Sequence, residues 1–179
     1  MSEKAPILGE PQEEFKLARR NESSRAALLE EAGLDGVHFF VREGIEGEAI
    51  PAVGSSEEEV FALLPYEHPE EALDEETFGL LEESGYEAAT LRDLLNFAIE
   101  YPKAQLKHEV VALGTLRTRR VFEDRPGETV WDQEERDRRI CQWAVGLSNE
   151  KEKRVLVAME LYLTKLLRKE ALLLVKRAV

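Results

Sequence analysis

The stretch VLVAMELYLTKLLRKEALLLV, Val155 to Val175, admits two foldings, and the choice between them sets the fold class. In one, Val155, Met159, Leu163, Leu166 and Leu174 form a single helix stripe, and TKLLRKEALLL is rich in good helix formers. In the other, Val155, Val157, Met159 and Leu161 alternate to one side of a strand, and Ala171 to Val175 is a second short apolar segment. Glu160, Lys165, Arg168, Lys169 and Glu170 interrupt the stretch, and charges at that density argue against a membrane span. Together with an N-terminus, MSEKAPILGE, that has no apolar segment of signal-peptide length, this gives the expectation of a soluble, cytoplasmic chain.

Upstream of it, Val110 to Leu116 (VVALGTL) reads as a strand. Arg120 to Glu135, with Pro126 and Gly127, reads as a long loop. Arg139 to Leu147 (RICQWAVGL) is a strand candidate with helix as the alternative, and Ser148 to Glu152 is a polar turn.

LLNFAIEYPKAQLKHEVVALGT, Leu94 to Thr115, resembles a stretch of uncharacterised bacterial proteins in which a helix ends in a YP-like pair, a VALGS-type strand follows, and an FLAVRK-like strand closes the chain. RRICQWAV, KRVLVAMELY and LLLVKR stand where the later β segments of that group lie, so the resemblance spans residues 94–177. The chain departs from the group by a longer charged insertion after Leu116, and it lacks the Gly and Trp pattern between the last two β segments. The resemblance implies β structure for the C-terminal half, in a small antiparallel sheet packed on the preceding helices. It brings no activity and no site residues with it.

Toward the N-terminus, residues 1–12 read as a flexible arm. Glu13 to Leu34 reads as helix in two pieces, with Phe15, Leu17, Ala18, Leu28, Leu29 and Ala32 as its apolar positions. Asn21, Ser23 and Ser24 include a candidate cap for the second piece, and Gly33 and Gly36 end it. Val37 to Arg42 reads as a strand, with Ala49 to Val53 as its return in a small hairpin. Ser56 followed by Glu59 has the capping-box spacing, so Val60, Phe61, Leu63 and Leu64 are assigned to a helix stopped by Pro65. Glu70 to Glu83 is a further helix with Gly85 beyond its end. Thr90 and Asp93 cap another that runs to Tyr101. The expected fold is therefore α+β. N-terminal helices with a small hairpin make an acidic, mainly helical region over 13–104, and a small antiparallel sheet makes a basic, mixed or β-rich region over 105–179. With no clear linker between them, the two regions are open to being one domain or two.

Charge is sorted along the chain. Residues 1–100 hold 25 acids and 7 bases, a net of −18, whereas residues 101–179 hold 12 acids and 17 bases, a net of +5. Glu43 to Glu87 contains 15 carboxylates and no Lys or Arg. Such a segment attracts basic surfaces and repels polyanions over about one Debye length, ~8 Å at physiological salt. Its bland interpretation is a set of solvated helix faces. Its functional interpretation is an acidic face for a protein partner with a basic surface, with Glu57, Glu58, Glu59, Glu70, Glu71, Asp74 and Glu75 as contacts and Trp131, set in the polar run ETVWDQEE, as an anchor. Head-to-tail pairing of copies through the two halves is a variant of the same idea. The alternative is nucleic-acid binding by Arg117, Arg119, Arg120, Arg136, Arg138 and Arg139, whose planar forks suit phosphate, although Glu123, Asp124, Asp132, Glu134, Glu135 and Asp137 are interleaved with them.

Catalytic and cofactor signatures are not found in the sequence. It has no phosphate loop, no dinucleotide fingerprint, no His-Glu-x-x-His and no EF-hand run. His38, His68 and His108 are 30 and 40 residues apart, a spacing that suggests no metal site. One cysteine, Cys141, excludes an internal disulfide framework. It reads as a buried thiol, and only an enzyme site assembled in three dimensions, with His108 as its base, would make it a nucleophile. No cofactor, metal or catalytic residue is expected, and the leading reading is a non-enzymatic interaction or regulatory protein.

Overall fold

The computed structural model describes residues 7–17, 24–38, 59–67, 75–120, 140–160 and 171–178. They form β1 (Ile7–Leu8), β2 (Glu13–Leu17), α1 (Arg25–Glu31), β3 (Gly36–Val37), β4 (Glu59–Glu67), α2 (Glu75–Glu83), β5 (Tyr86–Ala88), α3 (Leu91–Glu100), a 3-10 turn (Ala104–Leu106), β6 (Val110–Arg120), β7 (Ile140–Glu150), β8 (Lys153–Glu160) and β9 (Leu172–Arg177). All nine strands join one sheet of order β1-β4-β9-β6-β7-β8-β3, with β2 also on β4 and β5 also on β9.

This corrects the expected architecture. The sheet is large rather than small, and it is mixed rather than antiparallel: β6 runs parallel to β9, and β3 parallel to β8. Helices do not dominate the N-terminal part, which instead contributes β1 to β5. Glu13–Leu17, expected as helix, is a strand on β4, with Phe15 and Leu17 buried and Glu14 and Lys16 exposed, a period of two. The second piece of that expected helix is α1, and Ser24 caps it by accepting from the Ala27 backbone N–H at 3.1 Å. Val37 pairs in parallel with Leu156, while the return strand expected over Ala49 to Val53 lies outside the described residues.

The main misreading concerns β4. Phe61, Ala62, Leu63 and Leu64 are all 1% exposed, so no polar position breaks the run. A strand covered on both faces gives an unbroken apolar segment, which sequence periodicity cannot tell from a short buried helix. Pro65, read as a helix stop, instead falls between the part of β4 that pairs with β2 and the part that pairs with β1. The neighbouring chain breaks its ladder there, and the Gly9 N–H reaches the Pro65 carbonyl at 2.8 Å.

Side chains from alternate positions fill two cores. Phe61, Leu63, Val110, Ala112, Leu147, Leu156, Leu172 and Leu174 face α1 and α3. Ala62, Leu64, Val111, Leu113, Ala144, Leu173 and Val175 face α2. The ambiguous stretch 155–175 thus supplies β8 and the start of β9, with residues 161–170 outside the described set. The helix α3 is anchored by the capping box the sequence predicted: the Thr90 N–H and hydroxyl both donate to Asp93 Oδ2, at 2.8 and 2.7 Å. Phe97 and Tyr101 then pack on Phe15 of β2, with ring centroids 5.0 and 4.8 Å from it. The Tyr101 hydroxyl donates to the Lys16 carbonyl at 3.1 Å.

Between Ala112 and Arg117 the β6–β7 register shifts, so that Leu113 to Leu116 of β6 stand opposite Ala144 alone. Gly114 sits in this bulge and donates its N–H to the Ala89 carbonyl at 2.8 Å. A Cβ there would lie 2.6 Å from the Ala88 carbonyl oxygen and 2.8 Å from that of Ala89, both backbone atoms that cannot swing away. Gly114→Ala is therefore expected to destabilise the fold by about 1–3 kcal/mol, the usual range for overpacking, measured by chemical denaturation against wild type. A change below about 0.5 kcal/mol would mean that the β5–β6 approach is not rigid.

Candidate functional site

Two polar clusters interrupt the apolar sheet, one at each end of α3. The first is built around Arg154. It is the second residue of β8, at a position of the same parity as buried Leu156, which places it on the α3 side of the sheet. Its Nη2 donates to the Ala98 carbonyl at 2.7 Å, an acceptor near the C-terminal end of α3 that lacks an intrahelical partner. Gln105, fully buried in the 3-10 turn, adds its amide oxygen as acceptor for Nη2 and Nε, since only the oxygen of that amide suits a guanidinium. Asp35 accepts from the Arg154 backbone N–H at 2.8 Å, and Asn149 Nδ2, opposite Arg154 on β7, donates to the Leu106 carbonyl at 2.9 Å. Partial burial pushes the guanidinium pKa down and the Asp35 carboxylate pushes it back up. It stays charged, as arginine does.

These groups tie the end of α3, the 3-10 turn, the β7–β8 hairpin and the approach to β3 into one joint. The hairpin itself turns at Lys151 and Glu152, both with positive φ, at 54° and 68°, as a two-residue primed turn requires. The sequence offered no motif for the joint. A lone Arg before VLV and a lone Gln in YPKAQLK gain meaning only when register brings them together.

The second cluster lies at the start of α3. Lys176 of β9 pairs with Glu59 of β4 at 2.7 Å, and Asp93 is close enough to feel both charges. Glu87 of β5 stands in register with Lys176. Burial drives the Asp93 carboxyl above its ordinary 3.8, its two hydrogen bonds from Thr90 draw it back down, Glu59 raises it and Lys176 lowers it. A second link between the acidic and basic parts of the chain, Arg177 to Glu14, spans 3.9 Å at the surface.

Most residues proposed from the sequence fall outside these clusters. Glu57, Glu58, Glu70, Glu71, Asp74, Trp131, Arg136, Arg138 and Arg139 lie outside the described residues. Glu59 opens β4 and is engaged with Lys176, and Glu75 is the first residue of α2. Arg117, Arg119 and Arg120 belong to the outer part of β6. Cys141 stands opposite Arg119, whereas His108 precedes Val110, the partner of Leu147. Cys141 and Leu147 are six positions apart along β7, about 20 Å, so the fold does not bring this cysteine and histidine together. Among the described residues no group of three His, Cys, Asp or Glu side chains is placed to hold a metal ion, and no helix is long and apolar enough to cross a membrane. Set against protein-family models, curated proteins and solved structures, the chain finds no match in any of the three comparisons.

Two measurements probe the clusters. Arg154→Met strips the Ala98 carbonyl and the buried Gln105 amide of their donor. It is expected to cost about 1–3 kcal/mol in denaturation, a loss that Arg154→Lys only partly restores. For Asp93, the folded state binds more protons than the unfolded chain from pH 3.8 up to its raised folded value, so this group makes stability fall as pH rises through that window. Asp93→Asn keeps an oxygen for the cap and is expected to remove that part of the slope in a pH series of unfolding curves. An unchanged slope would place the titration on other groups.

Proposed function

We propose that the chain is a non-enzymatic interaction or regulatory protein that presents an acidic surface to a basic protein partner. The supporting observation is where the described carboxylates of the acidic segment sit. Glu82 and Glu83 are exposed in the last turn of α2, and no basic residue accompanies them there. The negative end of a helix disfavours carboxylates, by about 0.3–1 kcal/mol each at the surface. Glu87, also exposed, follows on β5. Solubility alone would be served as well by acids at the other end of the helix. Charge held where it works against the fold supports the reading of a surface retained for binding.

The charge arithmetic supports the same reading. The described basic groups of β9 are engaged within the chain, Lys176 with Glu59 and Arg177 with Glu14. Of the 15 carboxylates between Glu43 and Glu87, Glu59 is engaged by Lys176, while Glu82, Glu83 and Glu87 are exposed and give a partner its complement.

A double charge reversal, Glu82→Lys with Glu83→Lys, separates fold from function. It is expected to raise stability by about 0.5–2 kcal/mol, because it turns two unfavourable helix-end charges into favourable ones. In pull-downs from the native host at low and moderate salt, with protein and nucleic acid both identified, it is expected to lose the protein partners that wild type retains. Partners that survive both the reversal and the salt, and are lost only on mutation of apolar positions, would contradict the proposal.

A further inference from the structure

The acidic surface has a counterpart at the other end of the sheet. Lys103 and Lys107 flank the 3-10 turn, and both side chains are exposed. Residues three apart on such a turn lie one above the other, so Lys103 and Leu106 share a side. Leu106 is 41% exposed, and no other large apolar side chain is exposed among the described residues. The Asn149 Nδ2 bond to the Leu106 carbonyl, at 2.9 Å, brings the β7–β8 hairpin alongside, with Lys151 and Lys153 exposed on it. Among the described residues, none of these four lysines is held in an ion pair. Glu150 and Glu152 are exposed on the same hairpin, and Glu100, His108 and Glu109 are half-buried around the turn. The exposed charges of the patch are thus four lysines against two glutamates, in a chain whose net charge is −13.

A chain with 37 acids and 24 bases has carboxylates to spare for four lysines, and topology shows why the exposed glutamates of the acidic surface do not reach them. Val110, just after the lysine turn, is in register with Leu172 at the start of β9. Tyr86, just after Glu82 and Glu83, is in register with Arg177 at the end of β9. Five strand positions separate these two levels, about 17 Å. That is beyond contact distance and beyond the Debye length of ~8 Å at physiological salt. At the acidic end Lys176 is held by Glu59 and Arg177 by Glu14, while Glu82, Glu83 and Glu87 are exposed. Within one copy the two surfaces cannot neutralise each other, whereas between two copies they can.

We infer that the partner of the acidic surface is a second copy of this chain, whose patch of Lys103, Leu106, Lys107, Lys151 and Lys153 docks on Glu82, Glu83 and Glu87. The inference rests on reading those glutamates as a binding surface and names what binds there. The contact is heterologous, because each copy brings an acidic end and keeps a basic end free, so copies add head to tail. Leu106 gives the contact an apolar centre inside a charged rim. The negative net charge of each copy opposes approach, and salt screens that repulsion more than it weakens pairs in contact, so association needs moderate salt. Exposed ion pairs are individually weak, which puts the Kd on the order of 0.1–1 mM.

The test is analytical ultracentrifugation of the purified full chain from 10 μM to 1 mM in 150 mM salt. The weight-average mass of wild type is expected to rise with concentration from 20.4 kDa by at least half, and to lose most of that rise in 500 mM salt. Glu82→Lys with Glu83→Lys, and separately Lys103→Glu with Lys107→Glu, are each expected to stay at the monomer mass. An equimolar mixture of these two variants sets the intact lysine patch of the first against the intact acidic surface of the second, and it is expected to associate again. Should the lysine reversal fail to fold by circular dichroism, Lys151→Glu with Lys153→Glu takes its place in the same mixture. Leu106→Ser is expected to weaken association about threefold to tenfold. Wild type at 20.4 kDa throughout, association that survives either reversal, or a mixture that stays monomeric would overturn the inference. The acidic surface itself is decided apart from this, since host proteins other than the chain that are lost on Glu82→Lys with Glu83→Lys bear on that reading alone.

Discussion

Everything in this fold depends on β9 being covered on both faces. Leu172 and Leu174 enter the core beneath α1 and α3, while Leu173 and Val175 enter the core beneath α2. Its edges are closed too, by β4 on one side and by β6 and β5, end to end, on the other. Over Leu172 to Val175, where both faces are covered, the strand is apolar at every position, and it obliges the chain to supply helices above and below. Truncating any one of these leucines would cost about 2–5 kcal/mol, a large part of the stability of an ordinary domain. The acidic and basic parts of the sequence are consequently not separate bodies. Strands from both lie side by side, and Glu59 with Lys176 joins them across β4 and β9.

The same two-sided burial explains which elements could be read from the sequence and which could not. Where one face meets solvent or a cap fixes a boundary, the local pattern was legible. Thr90 with Asp93 marks the start of α3, Ser24 the start of α1, and Gly85, at φ +78°, the end of α2. VVAL, at the start of β6, was read as strand because two β-branched residues lead it. FALL in β4 has one aromatic, one alanine and two leucines, a composition equally at home in a helix, and a capping-box spacing upstream gave the helix a false start. Phe15 and Leu17 misled for a different reason. Five residues are too few for a period of two to outweigh the helix formers around them.

The candidate sites were legible to different degrees. The arginines at 117–120 were visible as a cluster, but the bulge that precedes them in β6 was not, because Gly114 declares its purpose only beside the Ala88 and Ala89 carbonyls. The joint around Arg154 was invisible, since it gathers residues from α3, the 3-10 turn, β7 and β8 that no sequence spacing relates. The acidic segment was legible as composition. What composition could not supply is that two of its carboxylates occupy the C-terminal end of a helix, where the helix dipole disfavours them.

Hydrogen exchange of the backbone amides, resolved by residue, tests the two-sided burial of β9 most directly. The account predicts that amides of 172–175, and those of 61–64 and 110–113 beside them, exchange only through global unfolding, with one shared free energy equal to that from denaturation. Exchange of the β9 amides ahead of those in α2 or α3, or at a free energy well below the global value, would contradict it.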